Sequence, residues 1–164
     1  MYRLPREPSR HRVAVWRKLK ALGAIYLQDG AAVLPETDLT REQLEWLQLR
    51  VREAGGEATL WEAAPNTVAE RQGLENAFRA SSQEAYAGIA GAAGRLRRKT
   101  ELGGEADGML EELKGLERDF RAERRRDYFR SPGREEAAEA LREARRVLVD
   151  GASSRGGTDA GEVS

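Results

Sequence analysis

The sequence predicts an α+β protein. A small strand–helix–hairpin–helix–strand unit is expected over residues 1–64, a three-helix antiparallel extension over 65–150 and a disordered tail over 151–164. Three observations carry this reading. Two short apolar runs flank Asp29-Gly30, the pattern of a hairpin. Long apolar stripes at helical spacing begin only after Pro65. From Gly151 to Ser164 the chain is rich in Gly, Ser, Thr and Asp, with almost nothing to bury.

The elements follow in order. Met1-Tyr2-Arg3-Leu4 reads as a strand closed by Pro5, and a helix follows with Pro8 in its opening turn and Gly23 as its stop. At about 100° per residue, Val13, Val15, Trp16, Leu19 and Leu22 are expected on one arc of that helix, which makes Trp16 a core residue. Arg10, Arg17 and Lys18 are expected on the opposite arc, with the small residues Ala14 and Ala21 between them. Ala24–Gln28 and Ala31–Leu34 flank the Asp-Gly pair, for which a type I′ turn is expected because Asp and Gly both tolerate positive φ. Thr40-Arg41-Glu42-Gln43 has the form of a capping box, with Leu39 and Leu44 placed to staple it. Leu44, Leu47 and Val51 have buried helical spacing, Gly55-Gly56 ends that helix, and Ala58–Trp61 is a last short strand. Trp46 falls off the buried line and is expected at the surface or in a subunit contact. The order is the βαββαβ unit of ferredoxin-like folds, although the first strand is short for the central position that topology assigns it.

Beyond Pro65, Leu74, Phe78, Ala85, Ile89, Ala93 and Leu96 form one apolar stripe. Leu102-Gly103-Gly104 is a turn, and Leu110, Leu113, Leu116 and Phe120 form a second stripe running to about Tyr128. Two long stripes joined by a short turn predict an antiparallel helical hairpin. Ser131-Pro132 then reads as an N-cap with Pro in the first turn of a third helix. That helix carries Ala137, Leu141, Ala144 and Leu148 and is expected to stop at Gly151. Gly88, Gly91 and Gly94 within the first stripe predict close helix packing.

Composition excludes several kinds of chemistry. The 164 residues contain no cysteine, so disulfides, thiolate metal sites and Cys nucleophiles are impossible. His11 is the one histidine, and it stands in a basic run with no residue beside it to orient it for catalysis. No Gly-rich segment has phosphate-loop or dinucleotide spacing. The carboxylates alternate with cations along helices, as in Glu111, Glu112, Lys114, Glu117 and Arg118, the pattern of solvated faces. No catalytic residue, metal or cofactor is therefore expected. No apolar run approaches the roughly 20 residues that cross a bilayer, and a cytoplasmic protein without membrane association is expected.

The remaining signal is charge placement. Lys and Arg total 28 and Asp and Glu total 28, so the chain is formally neutral and any excess is local. Arg3, Arg6, Arg10, Arg12, Arg17, Lys18 and Lys20 form a first cluster in which Glu7 is the only acid. A second contains Arg121, Arg124, Arg125, Arg126 and Arg130, and a lesser one Arg95, Arg97, Arg98 and Lys99. Acidic neighbours make solvated helix faces the favoured reading of the last two, with Arg124 and Arg125 kept as secondary candidates. The first cluster has the footprint of nucleic-acid contact.

Leu4-Pro5, the run Arg12-Val13-Ala14-Val15-Trp16-Arg17-Lys18-Leu19-Lys20-Ala21-Leu22-Gly23-Ala24, Gln28-Asp29-Gly30 and Val33-Leu34-Pro35 together resemble the N-terminal domain of ChrB, the chromate-resistance regulator. The likeness continues through Gly55-Gly56-Glu57-Ala58 and through Arg126-Asp127-Tyr128-Phe129 with Ser131-Pro132. The early segment is also similar to the ferredoxin-like domain of PaaX-type repressors and of the small CRISPR adaptation nucleases. Those nucleases carry an acidic metal ligand at the end of the first strand, where this chain has Tyr2-Arg3-Leu4. The ChrB resemblance implies a DNA-binding regulator, or regulatory subunit, of a chromate-resistance type operon. In that family the N-terminal part is associated with DNA and a separate C-terminal domain with the chromate response. This chain is expected to lack that sensor domain, so a separate sensor protein becomes a candidate partner.

On this reading Arg10, Arg17 and Lys18 neutralise phosphates of double-stranded promoter DNA, with Arg12 and Lys20 at the rim and Arg124 and Arg125 as further candidates. A homodimer is the simplest assembly, because twofold pairing suits palindromic sites. The alternative is a non-enzymatic adaptor whose basic face docks an acidic partner or separate sensor. An oxyanion-processing enzyme with arginine clamps ranks below both, having no partnered base or nucleophile.

Overall fold

The computed structural model describes residues 1–103 and 106–156. Nine elements run in the order β1 (Tyr2–Arg3), α1 (Ser9–Ala21), β2 (Ile25–Gln28), β3 (Ala31–Val33), α2 (Asp38–Glu53), β4 (Glu57–Ala58), α3 (Val68–Glu101), α4 (Ala106–Arg126) and α5 (Gly133–Gly156) among the described residues. The chain is helix-rich α+β. It divides into two compact units, Met1–Phe78 and the part from Arg79 onward, with the division inside α3.

In the first unit the strands form two antiparallel pairs, β1 with β4 and β2 with β3. The continuous four-stranded sheet of the ferredoxin-like expectation is absent among the described residues. The link between the pairs is one bond, the Tyr2 N–H donating to the Gly30 carbonyl at 2.7 Å. A β1 of two residues, with Pro5 two positions after its end, has too few donors to extend the ladder.

The hairpin is present, but its turn is not type I′. Gly30 has φ +74° and Asp29 does not share the left-handed region, so only one central residue turns left-handed. The pairing Tyr26↔Ala32 followed by Gln28↔Ala31 leaves Leu27 bulged, as when a type I turn closes on a Gly bulge. Gly30 is required twice over. Its φ is costly for other residues, and a Cβ there would lie 2.4 Å from the Tyr2 carbonyl oxygen.

Both helices of this unit end as the glycines predict. In α1 the Gly23 N–H donates to Lys20 O and the Ala24 N–H to Leu19 O, each at 3.0 Å. In α2 the Gly55 N–H reaches Arg52 O and the Gly56 N–H reaches Val51 O, each at 2.9 Å. These are Schellman closures, with Gly23 and Gly55 at positive φ. The start of α2 differs from expectation. Its capping box joins Thr37 and Thr40, one turn before the Thr40–Gln43 box read from sequence. Thr40 is buried and its hydroxyl donates to Pro35 O at 2.7 Å. Leu39 is exposed and staples nothing.

The core of this unit is small. Val15 and Leu19 of α1 meet Val51 of α2, and Tyr2, Leu4, Leu44 and Leu47 pack around them half-buried. Trp16 is 45% exposed, Trp46 59% and Trp61 75%. Trp16 is thus not a core residue.

The second unit has one apolar core shared by α3, α4 and α5. Ile89, Ala93 and Leu96 meet Leu113, Ala137, Leu141, Ala144 and Leu148 there, all on the stripes read from sequence. Tyr86 and Met109 are also fully buried, although neither belonged to an expected stripe. Glu117 accepts a forked pair of bonds from Arg145 at 2.6 and 3.0 Å, linking α4 to α5. The glycines of α3 do not mark a close helix contact. A Cβ at Gly88 would meet nothing within 4 Å, and at Gly91 and Gly94 only the Arg95 and Arg98 side chains of the same helix. Helix α5 continues through Gly151 to Gly156. The rest of the expected tail, and Gly104 of the expected turn, lie outside the described residues.

The junction between α4 and α5 is a polar knot. Asp127 accepts from the Ser131 N–H at 2.9 Å and from the Tyr86 hydroxyl at 3.2 Å. Gln83 Oε1 accepts from the Gly133 N–H at 2.7 Å, so α5 is capped by a side chain of α3 and not by Ser131. The Ser131 hydroxyl instead shares a 3.0 Å bond with the same Gln83 oxygen. Burial, reinforced by the Asp127 carboxylate, pushes the Tyr86 phenol well above its ordinary range.

Three substitutions test this packing. Gly30→Ala is expected to lower unfolding free energy by about 2 kcal/mol or more, from left-handed strain and the clash at Tyr2 O. Gly88→Ala, at an open helical position, should raise it by about 0.5–1 kcal/mol, both read from urea midpoints. The raised Tyr86 pKa means that the fold holds the neutral phenol. Stability is then retained below the unfolded tyrosine pKa of about 10 and falls as pH rises past it. Tyr86→Phe should cost about 1–2 kcal/mol at neutral pH and reduce that alkaline loss in pH-dependent urea titrations.

Candidate nucleic-acid interface

Pro8 is the N-cap residue of α1, just outside the opening turn expected for it, and its extended conformation (φ −77°, ψ 136°) leads the chain into Ser9 without a side-chain cap. Lys18 and Lys20 occupy its last turn, where the helix dipole favours cations. No acidic residue occurs from Ser9 to Ala21. Only Val15 and Leu19 are buried, one turn apart. That two-residue line sets which side of the helix meets solvent.

Counting about 100° per residue from that line, Arg10, Val13, Arg17 and Lys20 face outward and Lys18 flanks them, while Arg12 stands in line with Val15 one turn before it and is exposed in the first turn of the helix. All five cations are exposed. Arg10, Arg12, Arg17 and Lys18 form no ion pair among the described residues. The Lys20 ammonium lies over the Trp16 ring, 5.1 Å from its centroid. His11 is half-buried, one turn before Val15.

The outer face is therefore mixed: cations with Val13 and Trp16 among them. The spacing contained this result. Val13 lies two residues from Val15, and two residues is more than half a turn. The narrow buried line leaves Trp16 on a shoulder, and its ring gains cover from Lys20 instead of from the core.

The other cationic groups are paired only in part. Arg124 and Arg125 are exposed in the last turn of α4, in the second unit, where they complement that helix's C-terminal dipole. Arg126 pairs with Glu123, which is buried. In the lesser cluster Arg97 lies 3.6 Å from Glu101 and Lys99 lies 3.8 Å from Glu112. Among the described residues no group of three or more His, Asp or Glu is placed to hold a metal ion, and no helix is long and apolar enough to cross a membrane.

A protein-family model described as Protein ChrB, N-terminal, matches residues 12–154. The chain belongs to the ChrB N-terminal family. Membership associates it with regulation of chromate resistance. Comparison with curated proteins and with solved structures finds no match. Several of the ChrB-like motifs have structural work in this chain. Gly23 and Gly55 close helices, Gly30 admits β1, and Asp127 with Ser131 ties the α4–α5 junction. Within the Arg12–Ala24 string, Val15 and Leu19 are buried, while Arg12, Trp16, Arg17, Lys18 and Lys20 face solvent.

Proposed function

We propose that this chain is a DNA-binding regulator, or regulatory subunit, acting in a chromate-resistance type operon, and that α1 grips the phosphate backbone of promoter DNA. The observation that carries this reading is an exposed, acid-free helix whose arginines have no internal carboxylate partner among the described residues. A cation without an internal partner keeps its full attraction for an external anion, and phosphate contacts set affinity before sequence is read. Arg10, Arg17 and Lys18 neutralise phosphates, with Arg12 and Lys20 at the rim. Arg124 and Arg125 are secondary contacts.

The exposed Val13 and Trp16 favour one second reading, a non-enzymatic adaptor whose α1 docks an acidic protein surface with apolar content. Salt separates the two. Three phosphate contacts give a log–log salt slope of about −2.7, or roughly a 40-fold loss of affinity between 50 and 200 mM salt. The experiment is fluorescence anisotropy on the operon's own promoter duplex. The parent should follow that slope, and Arg10→Glu/Arg17→Glu should lose at least about tenfold in affinity with a shallower slope. Undiminished binding by the double variant contradicts the assignment of α1.

A further inference from the structure

Helix α2 carries a second surface, opposite in sign to that of α1. Its inner side is Thr40, Leu44, Leu47 and Val51. On the other side Leu39 and Trp46 are each 59% exposed and Leu49 is 46% exposed. Helical spacing puts Asp38, Glu42, Glu45 and Glu53 on the same arc. Of the helix's cations, Arg41 is drawn away to Glu36 and Glu62, and Arg50 and Arg52 lie at the margins of the arc. The α2 face is thus acidic and apolar around Trp46, while the α1 face is basic and apolar around Val13 and Trp16.

Scattered exposed apolar residues are ordinary. Two tryptophan-bearing helix faces of opposite charge in one small unit are not scattered. Such composition, aromatic residues with complementary charge around them, is that of a protein–protein contact. The two faces cannot cover each other within one chain. Val15, Leu19 and Val51 anchor both helices to one core by their inner sides, which turns the outer sides away from it.

We infer that the α2 face is a docking surface for the α1 face of a second copy of this chain. A twofold axis running between the helices places each α1 on the other copy's α2, so two equivalent contacts form and the assembly closes at a dimer. Arg10 and Arg17 then meet Glu42 and Glu45, and Trp46 is covered by the apolar part of α1. The carboxylates of α2 take the place that phosphates occupy in the proposed DNA complex. DNA and the second copy therefore compete for α1. The dimer itself does not depend on the DNA reading; only the competition does.

The test is sedimentation equilibrium of the full chain over a wide concentration range. The parent is expected to show a monomer–dimer equilibrium that weakens with salt. Trp46→Ala, exposed and so without a folding role, should weaken the dimer at least tenfold with an unchanged circular dichroism spectrum. Arg10→Glu/Arg17→Glu and Glu42→Arg/Glu45→Arg should each be monomeric. An equimolar mixture of those two variants should dimerise, because every contact in the mixed pair again joins opposite charges. A monomeric parent at all concentrations, a Trp46→Ala protein that dimerises like the parent, or a mixture that stays monomeric overturns the inference. Promoter duplex added to the parent dimer should yield monomer–DNA complexes. DNA binding by a monomeric parent would sink the dimer and leave the DNA reading standing. A dimer indifferent to DNA would contradict the competition and count against the DNA reading alone.

Discussion

What α1 presents to solvent depends on how Val15 and Leu19 seat against Val51. The contact is small, since only those three side chains are fully withdrawn in that cluster. It nevertheless fixes the rotation of α1, and rotation decides which residues a partner meets. A helix anchored by a wide apolar stripe would have hidden Trp16 and Val13. One anchored by a single line two residues long leaves them outside with the arginines.

That anchoring is supported by backbone approaches that tolerate no side chain. A Cβ on Gly30 would strike the Tyr2 carbonyl oxygen at 2.4 Å, and one on Gly56 would strike the Arg3 carbonyl oxygen at 2.5 Å. The two-residue β1 is thus held between the hairpin turn and the end of α2, where its few hydrogen bonds are made. The second unit uses different means: a deep apolar core along three helices, closed at one junction by the Gln83, Asp127 and Ser131 bonds.

Much of this was legible from residue types alone. Gly23 and Gly55-Gly56 announced helix ends because left-handed closure favours glycine. Asp29-Gly30 announced a hairpin, and the stripes through Leu113, Ala137 and Leu148 announced the helical core. What stayed hidden depends on neighbours distant in sequence. The capping box moved to Thr37 because Thr40 bonds Pro35 O and is buried. Gln83 displaced Ser131 as the cap of α5 across 50 residues of chain. The ferredoxin-like sheet could not be judged from the order of elements, since the β1–β3 junction reduces to one hydrogen bond. At the candidate interface the cations were legible as a cluster and Arg10 and Arg17 as outward. The outward Val13 was legible in principle from its spacing to Val15. The cover of Trp16 by Lys20 was not.

The central claim is that α1, through Arg10, Arg17 and Lys18, is where a polyanion lands. Amide chemical-shift mapping during titration with promoter duplex tests it most directly, because each residue reports separately. The account predicts that the largest changes fall within Ser9–Ala21 and that the amides of Arg121–Arg130 shift far less. Changes concentrated around Arg121–Arg130 instead, with α1 unmoved, would contradict it.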